Sequence, residues 1–138
     1  MKSLEQMQRA TRVEQEIRDL VGGTWVGPQG LPYDISDVPG RGKVEVKNDE
    51  ESARTGNFVF EFSGNYGKPS GLAITQADEW FQVSGDLVYV FDVAVLREQL
   101  SSWKFNNCWV NSDEGASSLR ISILTAKSWA KEVLKRAA

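Results

Sequence analysis

Lys43-Val44-Glu45-Val46-Lys47 lies at the centre of the predicted fold. Because successive side chains of a strand point to opposite faces, the two valines would lie on one face, and Glu45 and Lys47 on the other. The pattern predicts a half-buried β-strand that presents a carboxylate and an ammonium side by side. Asp34, on a predicted strand at 32–35, adds a second carboxylate, and the proline and glycines between the two segments predict a hairpin.

Length and composition restrict the class of protein. With 138 residues the chain is large enough for a buried core, and we predict a single domain over residues 1–138. No apolar run approaches the ~18 residues of a membrane span, and the N-terminus has no apolar signal core, so we expect a cytoplasmic protein without a membrane partner. The single cysteine, Cys108, allows no intrachain disulfide, which fits a reducing compartment.

The absence of histidine restricts the chemistry further. Triads with a histidine base and zinc sites built on histidine are excluded. The remaining oxygen ligands suit a hard divalent cation such as Mg²⁺ or Mn²⁺. Two carboxylates and a lysine, as in Asp34, Glu45 and Lys47, can hold such a cation and direct a water molecule toward a phosphodiester. Asp37, beside the predicted turn, is the alternative to Asp34.

The charge pattern gives weaker indications. A net charge of -3 provides no overall positive field for nucleic acid. Lys127, Lys131 and Lys135 would form a basic stripe on a predicted C-terminal helix, and the alternative is a solvated helix face. A charged strand face is also most often solvated, so Glu45-Val46-Lys47 alone is weak evidence for a site.

The order of predicted elements indicates an α+β, or mixed α/β, fold with a largely antiparallel central sheet flanked by helices. The predicted helices cover 3–21, 75–80, 93–100 and 125–136. The predicted strands cover 32–35, 43–47, 57–62, 81–83, 87–91, 108–110 and 119–124. Loops are predicted at 28–30 and 64–71, and the predicted N-caps include Thr75 and Asp92.

Several further segments follow the central strand in a definite order. They include Thr-Gly-Asn at 55–57, Lys-Pro-Ser-Gly at 68–71 and Thr-Gln-Ala-Asp-Glu-Trp at 75–80. Together with the preceding Asp and Glu-x-Lys, this order resembles small phage-type members of the PD-(D/E)XK nuclease superfamily, which have a restriction-endonuclease-like fold. The resemblance runs from about Tyr33 to Leu124. One departure is that Tyr33 stands before the aspartate, where the superfamily pattern has proline.

The resemblance implies roles for the residues of the predicted hairpin. Asp34 and Glu45 would be metal ligands, together with the main-chain carbonyl of Val46. Lys47 would orient the attacking water or stabilise charge on the phosphate.

Other residues would extend this site. Glu14, on the first helix, resembles the additional acidic residue that many superfamily members place near the metal, with Glu16 as the alternative. Glu61 lies on the non-aromatic face of strand 57–62 and would join the acidic site if that strand pairs with the strand of Glu45. The residues predicted to contact phosphate from the loop rim, with turn formation as their alternative role, are Asn57, Lys68 and Ser70.

The implied function is a Mg²⁺- or Mn²⁺-dependent DNA endonuclease, structure-specific in the manner of a resolvase. The resemblance further implies a phage or mobile-element origin, action in the host cytoplasm and a homodimer that cuts two strands. One alternative is a non-catalytic nucleic-acid- or protein-binding protein that retains the nuclease fold. A metal-dependent phosphatase for small molecules is another.

Overall fold

A six-stranded sheet forms the centre of the molecule in a computed structural model, which describes residues 3–27 and 31–136. In chain order its strands are β1 (Thr24–Trp25), β2 (Ile35–Val38), β3 (Gly42–Asn48), β5 (Glu79–Ser84), β6 (Leu87–Asp92) and β9 (Glu132–Lys135). Their spatial order is β1-β2-β3-β5-β6-β9. β3 and β5 are parallel, and all other neighbours in the sheet are antiparallel, so the sheet is mixed.

A smaller antiparallel sheet and four α-helices complete the described fold, which confirms the predicted α+β class. The smaller sheet, in the order β4-β8-β7, contains β4 (Asn57–Ser63), β7 (Trp109–Asn111) and β8 (Ser117–Ser122). The helices are α1 (Leu4–Val21), α2 (Ser52–Thr55), α3 (Val93–Leu100) and α4 (Ile123–Ala126). No helix within the described residues combines the length and apolar character needed to cross a membrane. The predicted loop at 28–30 lies outside the described residues.

Helix α1 matches its prediction because its sequence encodes both ends. The Ser3 hydroxyl accepts a hydrogen bond from the Gln6 N–H, and the Gln6 side chain accepts one from the Ser3 N–H, which together form a capping box. Gly22, with φ of 90°, ends the helix in a backbone conformation that other residues rarely adopt. Val13 and Ile17 are the buried residues of α1.

The central sheet is covered on both faces. Val13 and Ile17 of α1 pack against one face, whose buried residues include Val44, Val46, Phe81, Val83, Val88 and Val90. The other face joins the core of the smaller sheet, and the aromatic residues of that core include Phe58, Phe60, Trp80 and Phe91. Because Glu45 and Lys47 alternate with the valines, they lie on this second face, where they are opposite Trp80 and Gln82 of β5. The predicted alternation is confirmed.

The predicted helix at 75–80 is wrong, because this segment enters β5. Ala77 N–H does donate to Thr75 Oγ1 at 3.2 Å, which is the local bond that made Thr75 resemble an N-cap. No helix follows it, since Asp78 N–H donates to Lys43 O at 2.8 Å and β5 then pairs with β3. Every residue of β5 is buried, so tertiary pairing outweighs local propensity here.

The predicted C-terminal helix at 125–136 is also wrong over most of its length. Helix α4 ends at Ala126, a 3₁₀ turn covers Lys127–Trp129, and β9 then pairs with β6. β9 pairs with the backbone groups on the outer side of β6, and Leu134 packs against the core under α1. Lys127, Lys131 and Lys135 therefore do not form one helical stripe.

Smaller corrections concern element ends. β2 begins at Ile35, which is the last residue of the predicted strand 32–35. Asp34 therefore precedes β2, but its N–H donates to Val44 O at 3.0 Å and keeps it beside β3. Asp92 is the N-cap residue of α3, as predicted, but its side chain binds Lys131 instead of capping the helix. The predicted hairpin of β5 and β6 and the strands β3, β4, β7 and β8 are confirmed to within two residues at their ends.

Candidate active site

Asp34 and Glu45 bring two carboxyl groups into contact where the segment before β2 lies beside β3. The Asp34 carboxylate accepts a hydrogen bond from Val46 N–H at 2.7 Å, which fixes it against β3. The Glu45 carboxyl is a further partner, and a hydrogen bond between the two carboxyl groups requires a proton on one of them. Burial raises the pKa of Glu45 above its ordinary value, and the negative charge of Glu14 acts in the same direction.

Groups that stabilise the ionised form of Glu45 oppose this shift. Its hydrogen bonds with Asp34 and Thr75 and the positive charge of Lys47 all lower the pKa of Glu45, although burial is the largest effect. Thr75 Oγ1 lies 3.3 Å from Glu45 Oε1 and 3.1 Å from Pro32 O. Since the Thr75 side chain is itself buried, Glu45 is held in one place by its surroundings.

An arginine from α3 fixes the segment that contains Thr75. Arg97 donates through Nε to Leu72 O at 2.9 Å and through Nη2 to Thr75 O at 2.8 Å. Sequence patterns did not indicate either contact, because Thr75 resembled a helix cap and both carbonyl groups are more than 20 residues from Arg97 along the chain.

Glu14, and not its alternative Glu16, lies at this site. Trp25 Nε1–H donates to Glu14 Oε1 at 3.0 Å, so the short strand β1 holds the carboxylate of α1 in place. Glu16 is instead paired with Arg136 through two bonds of 2.7 and 2.9 Å, and these bonds lower the pKa of Glu16. Asp37, the alternative to Asp34, is exposed in β2 and does not line the cavity described next.

The residues predicted on α1 and β3 surround one small cavity. It has a volume of about 230 Å³ and is lined by Glu14, Asp34, Glu45, Val46, Lys47, Glu61, Gly71 and Trp80. Lys47 also lines a neighbouring cavity of about 260 Å³ together with Asp49 and Val59. Its ammonium group thus lies where its charge acts on the carboxyl groups of both Glu45 and Asp49.

Glu61 reaches the cavity by a route different from the one predicted. The prediction was conditional on pairing between the strand of Glu61 and that of Glu45, but β4 pairs with β8 in the smaller sheet and not with β3. Ser70 Oγ–H donates to Glu61 Oε2 at 2.6 Å and orients the carboxylate. Gly71, with φ of +54°, allows the loop to approach so closely that an added Cβ would lie 2.4 Å from Glu61 O.

A buried polar network below the cavity joins the two sheets. Asp49 Oδ2 accepts from Val59 N–H at 2.9 Å and from Gln82 Nε2–H at 2.7 Å, and Gln82 Oε1 accepts from Trp80 Nε1–H at 2.7 Å. Burial raises the pKa of Asp49, while the bonds from Val59 and Gln82 oppose the shift. The network aligns β4, and with it Glu61, against β3 and β5. Sequence reasoning missed both Asp49 and Gln82.

The three residues predicted to bind phosphate do not lie together. Asn57 is at the start of β4, where its side-chain amide donates to Thr55 O at 3.3 Å, and it lines none of the cavities described here. Lys68 and Ser70 line a larger groove of about 820 Å³, which also includes Glu61. Glu61 therefore lines both the small cavity and this groove and lies between them.

The donor set of the small cavity fits a hard cation. Asp34 and Glu45 supply two carboxyl groups, and the Val46 carbonyl projects from the same edge of β3 as the N–H that binds Asp34. Within residues 3–27 and 31–136, no three acidic or cysteine side chains already converge as a complete set of metal ligands. Water molecules would therefore have to complete the coordination shell, as is common for Mg²⁺.

Comparisons with known proteins identify no relative: no family model, no curated protein and no solved structure matches this chain.

Proposed function

We propose that this protein is a Mg²⁺- or Mn²⁺-dependent nuclease that hydrolyses phosphodiester bonds in DNA. The main support is the contact between the carboxyl groups of Asp34 and Glu45, with Lys47 beside them in the same cavity. Two ionised carboxylates in contact repel each other, and partial burial strengthens the repulsion. A divalent cation relieves this repulsion, and the positive charge of Lys47 attracts a phosphate group.

Each residue has a distinct task in the proposed reaction. When bound, the cation would polarise a phosphoryl oxygen and lower the pKa of a bound water molecule. Asp34, oriented by Val46 N–H, and Glu45, oriented by Thr75, would hold the cation. The Lys47 ammonium would contact the phosphate and offset the charge that develops on it. No histidine base is needed.

The order of functional residues along the chain also supports the proposal. Asp34, Glu45 and Lys47 follow one another as in the PD-(D/E)XK superfamily, which the sequence resembles. Glu14 adds an acidic group from the first helix, as many members of that superfamily do. A phage origin, location in the host cytoplasm, a preference for branched DNA and a homodimer belong to the same proposal, and sedimentation of the purified protein tests the dimer.

Cleavage assays test the proposal directly. Supercoiled plasmid, single-stranded DNA and a four-way junction are incubated with Mg²⁺, Mn²⁺ or EDTA. We expect cutting that requires the metal and falls at least ~100-fold in Lys47→Ala, because the variant loses a charge that contacts the transition state. Lys43→Ala is the matched control, since Lys43 is an exposed lysine on the same face of β3 that does not line the cavity.

Two results would contradict the proposal. Cutting that persists in EDTA or in Lys47→Ala would assign the activity to another site or to a contaminant. Absence of cutting on every substrate with both metals would favour the non-catalytic binding protein.

A further inference from the structure

The segment at 70–76 contacts two of the carboxyl groups that line the small cavity. Ser70 Oγ–H donates to Glu61 Oε2 at 2.6 Å, and Thr75 Oγ1 lies 3.3 Å from Glu45 Oε1. Both acidic side chains line the cavity in which we place the cation. A displacement of this segment would therefore disturb Glu45 and Glu61 together.

The same segment is also bonded to the chain that leads to Asp34. Gln76 N–H donates to Pro32 O at 3.0 Å, and Thr75 Oγ1 lies 3.1 Å from the same oxygen. Pro32 is two residues before Asp34, whose carboxylate accepts a hydrogen bond from Val46 N–H. The position of Asp34 thus depends on the segment as well.

Arg97 connects this segment to α3. It donates through Nε to Leu72 O at 2.9 Å and through Nη2 to Thr75 O at 2.8 Å. Because the guanidinium group is planar and presents its donors in a fixed fork, the two bonds together define the positions of both carbonyl groups. Arg97 makes no ion pair within residues 3–27 and 31–136. The helix is itself anchored in the core by its buried residues, Val93, Leu96 and Leu100.

We propose that Arg97 is a positioning residue of the candidate site, which acts through Thr75 to hold Glu45 where it can bind the cation. The role depends on geometry and not on the charge of Arg97, because its donors bind backbone carbonyl groups of the segment. The inference rests on the proposed nuclease function. It predicts that replacing a residue outside the cavity weakens the metal site inside it.

Titration calorimetry with Mn²⁺ and no DNA tests the inference on the full chain. Arg97→Gln removes the fork that binds both carbonyl groups. We expect the Mn²⁺ dissociation constant to rise at least ~10-fold, which is the lower range for the loss of a group that orients a metal ligand. Arg120→Gln is the matched control, since Arg120 is an exposed arginine on β8, and it should bind Mn²⁺ as the wild type does.

Arg97→Lys separates geometry from charge. Lysine keeps the positive charge but has a compact ammonium group in place of the planar fork. We therefore expect its Mn²⁺ affinity to lie closer to that of Arg97→Gln than to that of the wild type. Thermal melting of each variant confirms that it is folded.

A double-mutant cycle tests whether Arg97 acts through Thr75. Thr75→Val removes the hydroxyl beside Glu45 and should also weaken Mn²⁺ binding, whereas Thr75→Ser retains the hydroxyl and should bind as the wild type does. If both residues act on the same ligand, the loss of affinity in the double variant is smaller than the product of the two single losses.

Amide hydrogen exchange in EDTA gives a readout that requires neither metal nor cutting. Gln76 N–H donates to Pro32 O, and Val46 N–H donates to Asp34 Oδ2. Arg97→Gln should accelerate exchange at Gln76 and Val46 relative to the amides of β6, because the segment and Asp34 are released. A general loss of stability would instead raise exchange at all of these amides.

Unchanged Mn²⁺ affinity in Arg97→Gln, wild-type affinity in Arg97→Lys, or single losses that simply multiply in the double variant would overturn the inference. The outcome for the nuclease proposal is separate. If the wild type binds no Mn²⁺ and cuts no substrate, that proposal fails, and unchanged exchange at Gln76 and Val46 would overturn the role of Arg97 as well. If metal-dependent cutting occurs and Arg97→Gln binds Mn²⁺ and cuts normally, the nuclease stands and Arg97 has no positioning role.

Discussion

Glu45 has conflicting requirements in the folded chain. Its position between Asp34, Thr75 and Lys47 suits an ionised carboxylate, but burial and the charge of Glu14 favour the protonated form. Burial is the largest effect, so the pKa of Glu45 is raised from its ordinary value of 4.5. A residue that destabilises the fold when it ionises is typical of a functional position, because binding of a ligand can offset the cost.

The pH dependence of stability follows from this shift. In the unfolded chain Glu45 loses its proton near pH 4.5, while the folded chain retains it to a higher pH. Between the two pKa values the folded state binds more protons, so the contribution of Glu45 to the free energy of unfolding falls as pH rises. Glu45→Gln cannot ionise. We expect this variant, without metal, to melt above the wild type at neutral pH and to lose that advantage below pH 4.5.

Melting curves from pH 4 to 8 in EDTA measure this difference, and about 1 kcal/mol corresponds to roughly 4 °C for a chain of this size. Glu98→Gln is the control, since Glu98 is exposed on α3. A wild type and Glu45→Gln with parallel pH profiles would show that Glu45 ionises normally and that its burial has no energetic effect.

The sequence predicted the site residues whose positions depend on local pattern. Alternation along β3 correctly places Glu45 and Lys47 on one face, and the hairpin correctly brings Asp34 beside them. Thr75 and Trp25 were not found, because each reaches the site through contacts with residues that are distant along the chain. The sequence predicted Thr75 only as a helix N-cap, and its hydroxyl does accept a hydrogen bond of that kind from Ala77 N–H, but in a turn that is not followed by a helix.

At the scale of elements, the two mispredicted helices have the same physical cause. Both β5 and β9 pair with neighbouring strands of the central sheet, and their sequences contain residues that a helix also accepts. Propensity favours a helix only weakly, whereas strand pairing with β3 or β6 also buries side chains. A single sequence does not indicate which strands will pair with these two segments. The spacing of Lys127, Lys131 and Lys135 was therefore misleading.

The three lysines have unequal roles in the folded chain. Lys131 Nζ pairs with Glu79, whose side chain is 3% exposed, and with Asp92 at 2.9 Å. Arg41 is the second partner of Glu79, at 3.0 Å. We expect Lys131→Ala to lower the free energy of unfolding by about 1–2 kcal/mol, because a buried carboxylate loses one of its two cations.

Urea unfolding compares this variant with Lys127→Ala. Lys127 has no ion pair in the described part of the chain, so its removal should change stability by less than about 0.5 kcal/mol. Equal effects of the two substitutions would contradict the strand and restore the helical stripe, in which both lysines are equivalent.

At the scale of the whole molecule, the candidate site is assembled by a long connection. Residues 49–78 connect the parallel strands β3 and β5, and they include α2, β4 and the loop with Gly71 and Thr75. Parallel neighbours always require such a crossover. In this fold the connection places Glu61 and Thr75 beside Asp34 and Glu45. The sheet topology was beyond prediction from a single sequence, since it depends on pairings between residues far apart along the chain.

The cation that we propose would bind only the complete fold, so it should stabilise the molecule by mass action. At a Mn²⁺ or Mg²⁺ concentration 100 times the dissociation constant, the gain is about 2.7 kcal/mol. Because Glu45 must lose its proton to serve as a ligand, we expect a smaller rise in melting temperature at pH 5 than at pH 8.

Asp34→Asn should abolish the rise, whereas Asp37→Asn, in an exposed position on β2, should retain it. A rise that survives in Asp34→Asn would place the cation elsewhere, and no rise at either pH would leave the carboxyl pair without the ligand that we propose for it.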